Sequence, residues 1–131
     1  MDKFVGIPFV DRGRTFDGCD CWGLICILYY EIYNIILPDY PISSNDTDSV
    51  SKEMGNGVKS GRWVSAKTPY QMGDIVAMAM SPKHLTSINH VGFCLDGNTF
   101  VHSIQNQRSA ICRLDDIYWK HRIKGAYKWL G

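Results

Sequence analysis

The 131 residues hold no run long and apolar enough to cross a bilayer. The longest apolar stretch, Leu24 to Leu37, is broken by Glu31 and Asn34 and is too short and too polar to span. Neither charge sign is in excess: 14 basic and 13 acidic residues leave a net charge of +1. That balance excludes the basic footprint of a nucleic-acid-binding domain. The start, Met1-Asp2-Lys3-Phe4-Val5-Gly6-Ile7-Pro8, lacks the apolar core of a signal peptide. The expectation is therefore synthesis in the cytoplasm without a signal peptide, and delivery by another component if the chain acts outside. Repeats, low-complexity segments and composition breaks are absent, so residues 1–131 are expected to form one domain. The five cysteines, Cys19, Cys21, Cys26, Cys94 and Cys112, are an odd set, which leaves at least one free thiol. Cys19-x-Cys21 does not have zinc-knuckle spacing, and no second close Cys/His pair completes four ligands. Neither a metal nor a cofactor is expected. Cys26 and Cys94 fall in apolar runs and read as small core residues.

What the chain does have is a cysteine where a helix begins. Residues 1–19 read as an irregular lead-in, punctuated by Gly6, Pro8, Gly13 and Gly18. Cys21, Leu24, Ile25, Leu28, Tyr29 and Ile32 then recur at helical spacing, which predicts a helix over about 20–34 with Asp20 as N-cap. A thiol there sits at the positive end of the helix dipole, where its thiolate is favoured. Gly23 in the first turn is costly for a helix unless another backbone or a ligand approaches closely. Pro38 and Pro41 stop any continuation. A short helix is expected near 46–54, closed by Gly55, with a loop through Asn56-Gly57 and Ser60-Gly61 and a short extended piece at Trp63-Val64.

From Gly73 onward the pattern is of short strands. Residues 74–79 are apolar on both faces, 90–95 and 98–104 flank the hairpin signal Asp96-Gly97, and 110–114 and 123–129 supply two more strands. One helical turn is expected over 115–119. Helices first and strands after predict an α+β fold with helices packed on an antiparallel sheet.

The hairpin poses a parity test for the two histidines nearest to it, His90 and His102. A two-residue turn puts them on opposite faces. A three-residue loop, Asp96-Gly97-Asn98, pairs His90 with Ile104 and sets His102 diagonal to His90 on one face. The second arrangement is expected, with Gly92 beside His90 leaving room for a helix to dock. A cysteine nucleophile, a histidine base and a second group orienting that histidine form a thiol-hydrolase set. His84 and His121 compete for the base role but sit in loop-like or charged runs. Each of these residues also has a plain structural reading: a buried core cysteine, a hydrogen-bonded strand histidine, a capping aspartate.

These residues together resemble the NlpC family of cell-wall cysteine peptidases. The matching pieces are Asp20-Cys21-x-Gly23-Leu24, Gly73-Asp74-Ile75-Val76, His90-Val91-Gly92-Phe93 and Phe100-Val101-His102, in the family's order over about residues 4–103. The lead-in, Gly6-Ile7-Pro8-Phe9, Gly13-Arg14, Gly18 to Leu24 and Leu37-Pro38, looks like the branch encoded by phages and prophages, often linked to tails. The resemblance implies a papain-like α+β fold, with Cys21 as nucleophile, His90 as general base and His102 as its orienting group. Asp20 would bind a substrate amine. The implied function is hydrolysis of stem-peptide amide bonds in peptidoglycan, typically D-γ-glutamyl to diaminopimelate or lysine. Implied partners are peptidoglycan stem peptides and phage tail proteins, with no nucleic acid and no membrane; the implied place is a virion tail acting at the cell wall or periplasm. Trp22 departs from the small hydroxyl residue common at that position. Two other functions compete: a non-catalytic tail component that docks on the wall, and a thiol acyltransferase or small-molecule amidase on the same fold. Lys59, Arg62 and Arg108 read as solvated surface charge.

Overall fold

A computed structural model describes residues 2–42, 48–81, 83 and 87–131. The lead-in is more ordered than its glycines suggest. After a 3-10 turn at Asp2–Phe4, Arg14–Thr15 (β1) and Gly18–Cys19 (β2) form a two-stranded ribbon. Close packing explains the glycines. A side chain on Gly13 would overlap the Gly18 carbonyl, and one on Gly18 would overlap Val10. The ribbon thus packs backbone against backbone beside the helix start.

Cys21–Tyr33 (α1) begins where expected. Asp20 has extended backbone and accepts the Gly23 N–H at 2.8 Å; Asn34 ends the helix in the left-handed conformation at φ 55°. Ser49–Lys59 (α2) runs past Gly55, where a stop was expected. Val50 and Met54 are buried, and Gly57 lies so close to the Trp63 ring that a β-carbon there would overlap it. Packing on that indole holds the last turn that propensity alone would have released.

Trp63–Ala66 (β3), Ile75–Met78 (β4), His90–Cys94 (β5), Thr99–His102 (β6), Ala110–Arg113 (β7) and Ile123–Trp129 (β8) form one antiparallel sheet, ordered β3-β8-β4-β5-β6-β7. Ile117–Lys120 (α3) is the single turn between β7 and β8, capped by Asp116. The α+β expectation therefore holds. α1 covers one sheet face, against Ile75, Ala77, Val91, Phe93 and Val101. The other face carries Val76, Met78, Cys94, Phe100 and Ala126 beneath Trp119 of α3. β4 is buried on both sides for this reason, as its apolar run requires.

Candidate active site

The parity test resolves as expected. Phe93 pairs with Val101 and Cys94 with Phe100, and the Leu95 N–H bonds the Thr99 carbonyl. The loop is thus the three residues Asp96-Gly97-Asn98. The Asp96 carboxylate closes it by accepting the N–H groups of Asn98 and Thr99, both at 2.8 Å. The same register puts His90 and His102 on one face, with His90 Nε2 2.8 Å from His102 Nδ1. Gly92 does not make room for a helix. The space beside it is taken by Phe100, 2.7 Å from where a β-carbon would stand, with Val76 and Met78 behind. The histidines therefore share the face opposite α1, and Cys21 opens onto the same cleft as His90 from the start of its helix.

Cys21 and His90 line one cleft of about 170 Å³, walled by Phe9, Asp20, Asn89, Ser103 and Gln105 among others. The Cys21 sulfur faces the backbone N–H groups of Val91 and Trp22, which act to lower its pKa. Burial outweighs them, with help from the Asp20 charge, and pushes the thiol up to about 12. The helix start alone does not supply a thiolate, contrary to the sequence expectation. The His90–His102 contact occupies His90 Nε2, so Nδ1 is the nitrogen left for the thiol.

Burial lowers both imidazoles, His90 well below 6.5 with His102 adding to the effect, and His102 to about 4. The fold holds both neutral, while the unfolded chain protonates them. Between pH 6.5 and about 4 the unfolded state binds more protons, so stability is lost as pH falls through that window. The His102 contribution is on the order of 3 kcal/mol. Melting temperatures measured from pH 7.5 down to 4 should fall, and the decline should be shallower in His102→Asn. Parallel curves would show that His102 titrates as it does in water.

Asp20 is buried and accepts three hydrogen bonds. One oxygen accepts from Gly23 N–H and from Arg14 Nη1, both at 2.8 Å; the other accepts the Arg12 N–H at 2.9 Å. Capping is what the geometry shows, while Asp20 also forms part of the cleft wall. Trp22 points into the core. It is fully buried, donates to the Pro38 carbonyl at 2.9 Å and meets Trp63 edge-on. His121 is exposed at the end of α3, and His84 lies outside the described residues. Lys59, Arg62 and Arg108 are exposed, although Arg108 also donates to the Gly6 carbonyl.

Several residues escaped the sequence reading. Ser103 ties the cleft to the ribbon through its bond to the Cys19 carbonyl at 3.0 Å, and Arg14 links Asp20 to Asp39. Cys112 and Trp119 both contact His102. Their signal lay in chain pairings that need the fold to be known.

The NlpC/P60 family model matches residues 6–128. The chain belongs to the NlpC/P60 family. A probable endopeptidase NlpC homolog of Haemophilus influenzae is 25% identical over 118 residues, 90% of this chain and 53% of that protein. The murein DD-endopeptidase MepS/murein LD-carboxypeptidase of Escherichia coli K12 is 25% identical over 134 residues, all of this chain and 62% of that protein. The chain thus spans little more than half the length of these curated relatives. Among solved structures, a NlpC/P60 protein from Bacillus cereus superposes with a TM-score of 0.69 at 21% identity, over 98% of this chain and 37% of that one. The NlpC/p60 domain of the peptidoglycan hydrolase SagA superposes with a TM-score of 0.62 at 18% identity, over 97% of this chain and 91% of that one. These likenesses establish the NlpC/P60 fold along nearly the whole chain.

Proposed function

We propose that this chain is a cysteine peptidase that hydrolyses stem-peptide amide bonds of peptidoglycan. The observation that carries the reading is one cleft lined by both Cys21, at a helix start, and His90, with His102 hydrogen-bonded to His90 at 2.8 Å. The family and the names of the two curated relatives support the substrate class. The proposed bond is D-γ-glutamyl to diaminopimelate or lysine. The lead-in resemblance supports a phage or prophage tail as carrier, with tail proteins as partners and the cell wall as the place of action.

In the free site both partners are neutral. As the Cys21 sulfur attacks the scissile carbonyl carbon, its proton passes to His90 Nδ1. Of the N–H groups at the helix start, Gly23's goes to the Asp20 carboxylate and Leu24's to the Asp20 carbonyl, while Trp22's favours the Cys21 thiolate. That of Cys21 itself is left for the oxyanion. His90 then protonates the leaving amine, giving a thioester and a free amine. Water, deprotonated by His90, hydrolyses the thioester and returns the thiol. His102 orients His90 without a countercharge. Asp20 binds a substrate amine only through the acceptor capacity its three intramolecular bonds leave, and Trp22 offers it no hydroxyl.

The test is mass spectrometry of muropeptides incubated with wild type and with Cys21→Ala. A product in the wild type alone supports the reading and names the bond; no wild-type product from any stem chemistry overturns it. Iodoacetamide gives a second readout. Because the Cys21 thiol is held up near 12, the rate of inactivation should rise steadily from pH 7 to pH 10. A plateau reaching down into acid would instead show a preformed thiolate–imidazolium pair.

A further inference from the structure

The hydrogen-bond chain that starts at His90 continues past His102. Cys112 places its sulfur 3.4 Å from His102 Nε2, the nitrogen turned away from His90. Register explains the contact. Phe100 pairs with Cys112 and His102 with Ala110, so Cys112 lies diagonal to His102 on the same face. Trp119 closes the far side, its ring edge-on to His102 at 4.5 Å between centroids. Its indole N–H, which can only donate, faces the same sulfur.

Each neutral imidazole carries one proton, and the His90–His102 contact uses one proton between its two nitrogens. Suppose His90 supplies it. His90 Nδ1 is then bare toward Cys21 and can act as base, and the His102 proton lies on Nε2 and needs an acceptor. Suppose instead that His102 supplies it. His90 then carries its proton on Nδ1, toward Cys21, and cannot take another there while neutral. The two differ at His102 Nε2, which is a donor in the first and a bare acceptor in the second. The half-buried Cys112 sulfur, 3.4 Å away, can accept from Nε2–H there with its own S–H turned aside.

We propose that Cys112 is a positioning residue whose sulfur accepts the Nε2–H of His102 and so holds His90 in the tautomer that presents a lone pair to Cys21. The inference rests on the peptidase reading of the site. It reaches one residue beyond the nucleophile, base and orienting group that the family resemblance implies.

The test is long-range ¹H–¹⁵N NMR of the ¹⁵N-labelled full chain near pH 7.5, for wild type, Cys112→Ala and Cys112→Ser. Wild type should carry its protons on Nε2 of both His90 and His102. Cys112→Ala should show mixed tautomers, with kcat lower by about 3- to 10-fold at unchanged KM, the worth of one hydrogen bond. Cys112→Ser, which keeps an acceptor, should restore both. A wild-type His102 protonated on Nδ1, or wild-type tautomers retained in Cys112→Ala, would overturn the proposal. Should the alanine variant fail to fold, the wild-type and serine spectra still decide it. The NMR arm reads the free protein, so it stands even where no muropeptide is cut. Absent cleavage with the expected tautomers counts against the peptidase reading alone.

Discussion

Cys21→Ala should lose muropeptide cleavage altogether, a fall of at least about 10⁴ in kcat, and keep its fold. The loss follows from the chemistry. The attacking sulfur is gone, and no other side chain of the cleft wall is a thiol. The survival of the fold follows from the structure. Alanine is the best helix former, Asp20 still caps α1, and the deleted sulfur leaves a gap smaller than a methylene pair beside an existing cleft. His90→Ala should cost nearly as much, since proton transfer at attack and at amine departure both depend on it. His102→Asn should cost less, about 10²-fold, because it orients His90 without carrying charge. The ranking is the content of the prediction. Equal activity in Cys21→Ala and wild type, with matching circular dichroism, would remove the cysteine from the mechanism. A His102 effect larger than the His90 effect would exchange their roles.

Legibility in the sequence tracked how local the determining contacts are. α1 was readable because its stripe, its aspartate cap and the prolines after it lie close together in the chain. The histidine pair was readable because one short loop sets the parity of the whole hairpin, and Asp96 secures that loop with its own side chain. α2 was misjudged at its end because the indole beneath Gly57 comes from the next element. The role of Gly92 was misjudged because periodicity tells which residues share a face but not which neighbour covers it; here Phe100 does, and α1 lies on the other side. Cys112 could not be found at all. Its place beside His102 depends on the irregular connection between β6 and β7, for which the sequence has no parity rule. The thiol acidity was misjudged for a related reason. The helix dipole is a local feature and can be read, whereas the burial that opposes it belongs to the whole fold.

Gly23→Ala should destabilise the protein by about 3 kcal/mol, a fall of roughly 10 °C in melting temperature, and take the activity with it. The ordinary expectation has the opposite sign, since glycine to alanine inside a helix gains up to about 1 kcal/mol. Here a β-carbon at position 23 would overlap the backbone carbonyl of Gly13, and it would come within 3.1 Å of Arg14 Nη1 and Asp20 Oδ1. A carbonyl of the packed ribbon cannot swing aside as a side chain would, because Gly13 is itself pressed against Gly18. The ribbon must move as a unit, and with it the Arg14–Asp20 pair that holds the helix cap next to the nucleophile. Gly55→Ala is the matched control: it lies inside α2, nothing stands within 4 Å of its β-carbon position, and it should gain stability. Thermal melts of the two variants should therefore shift in opposite directions. If both rise, the ribbon yields freely, and the close approach of Gly13 to α1 does not brace the catalytic cysteine.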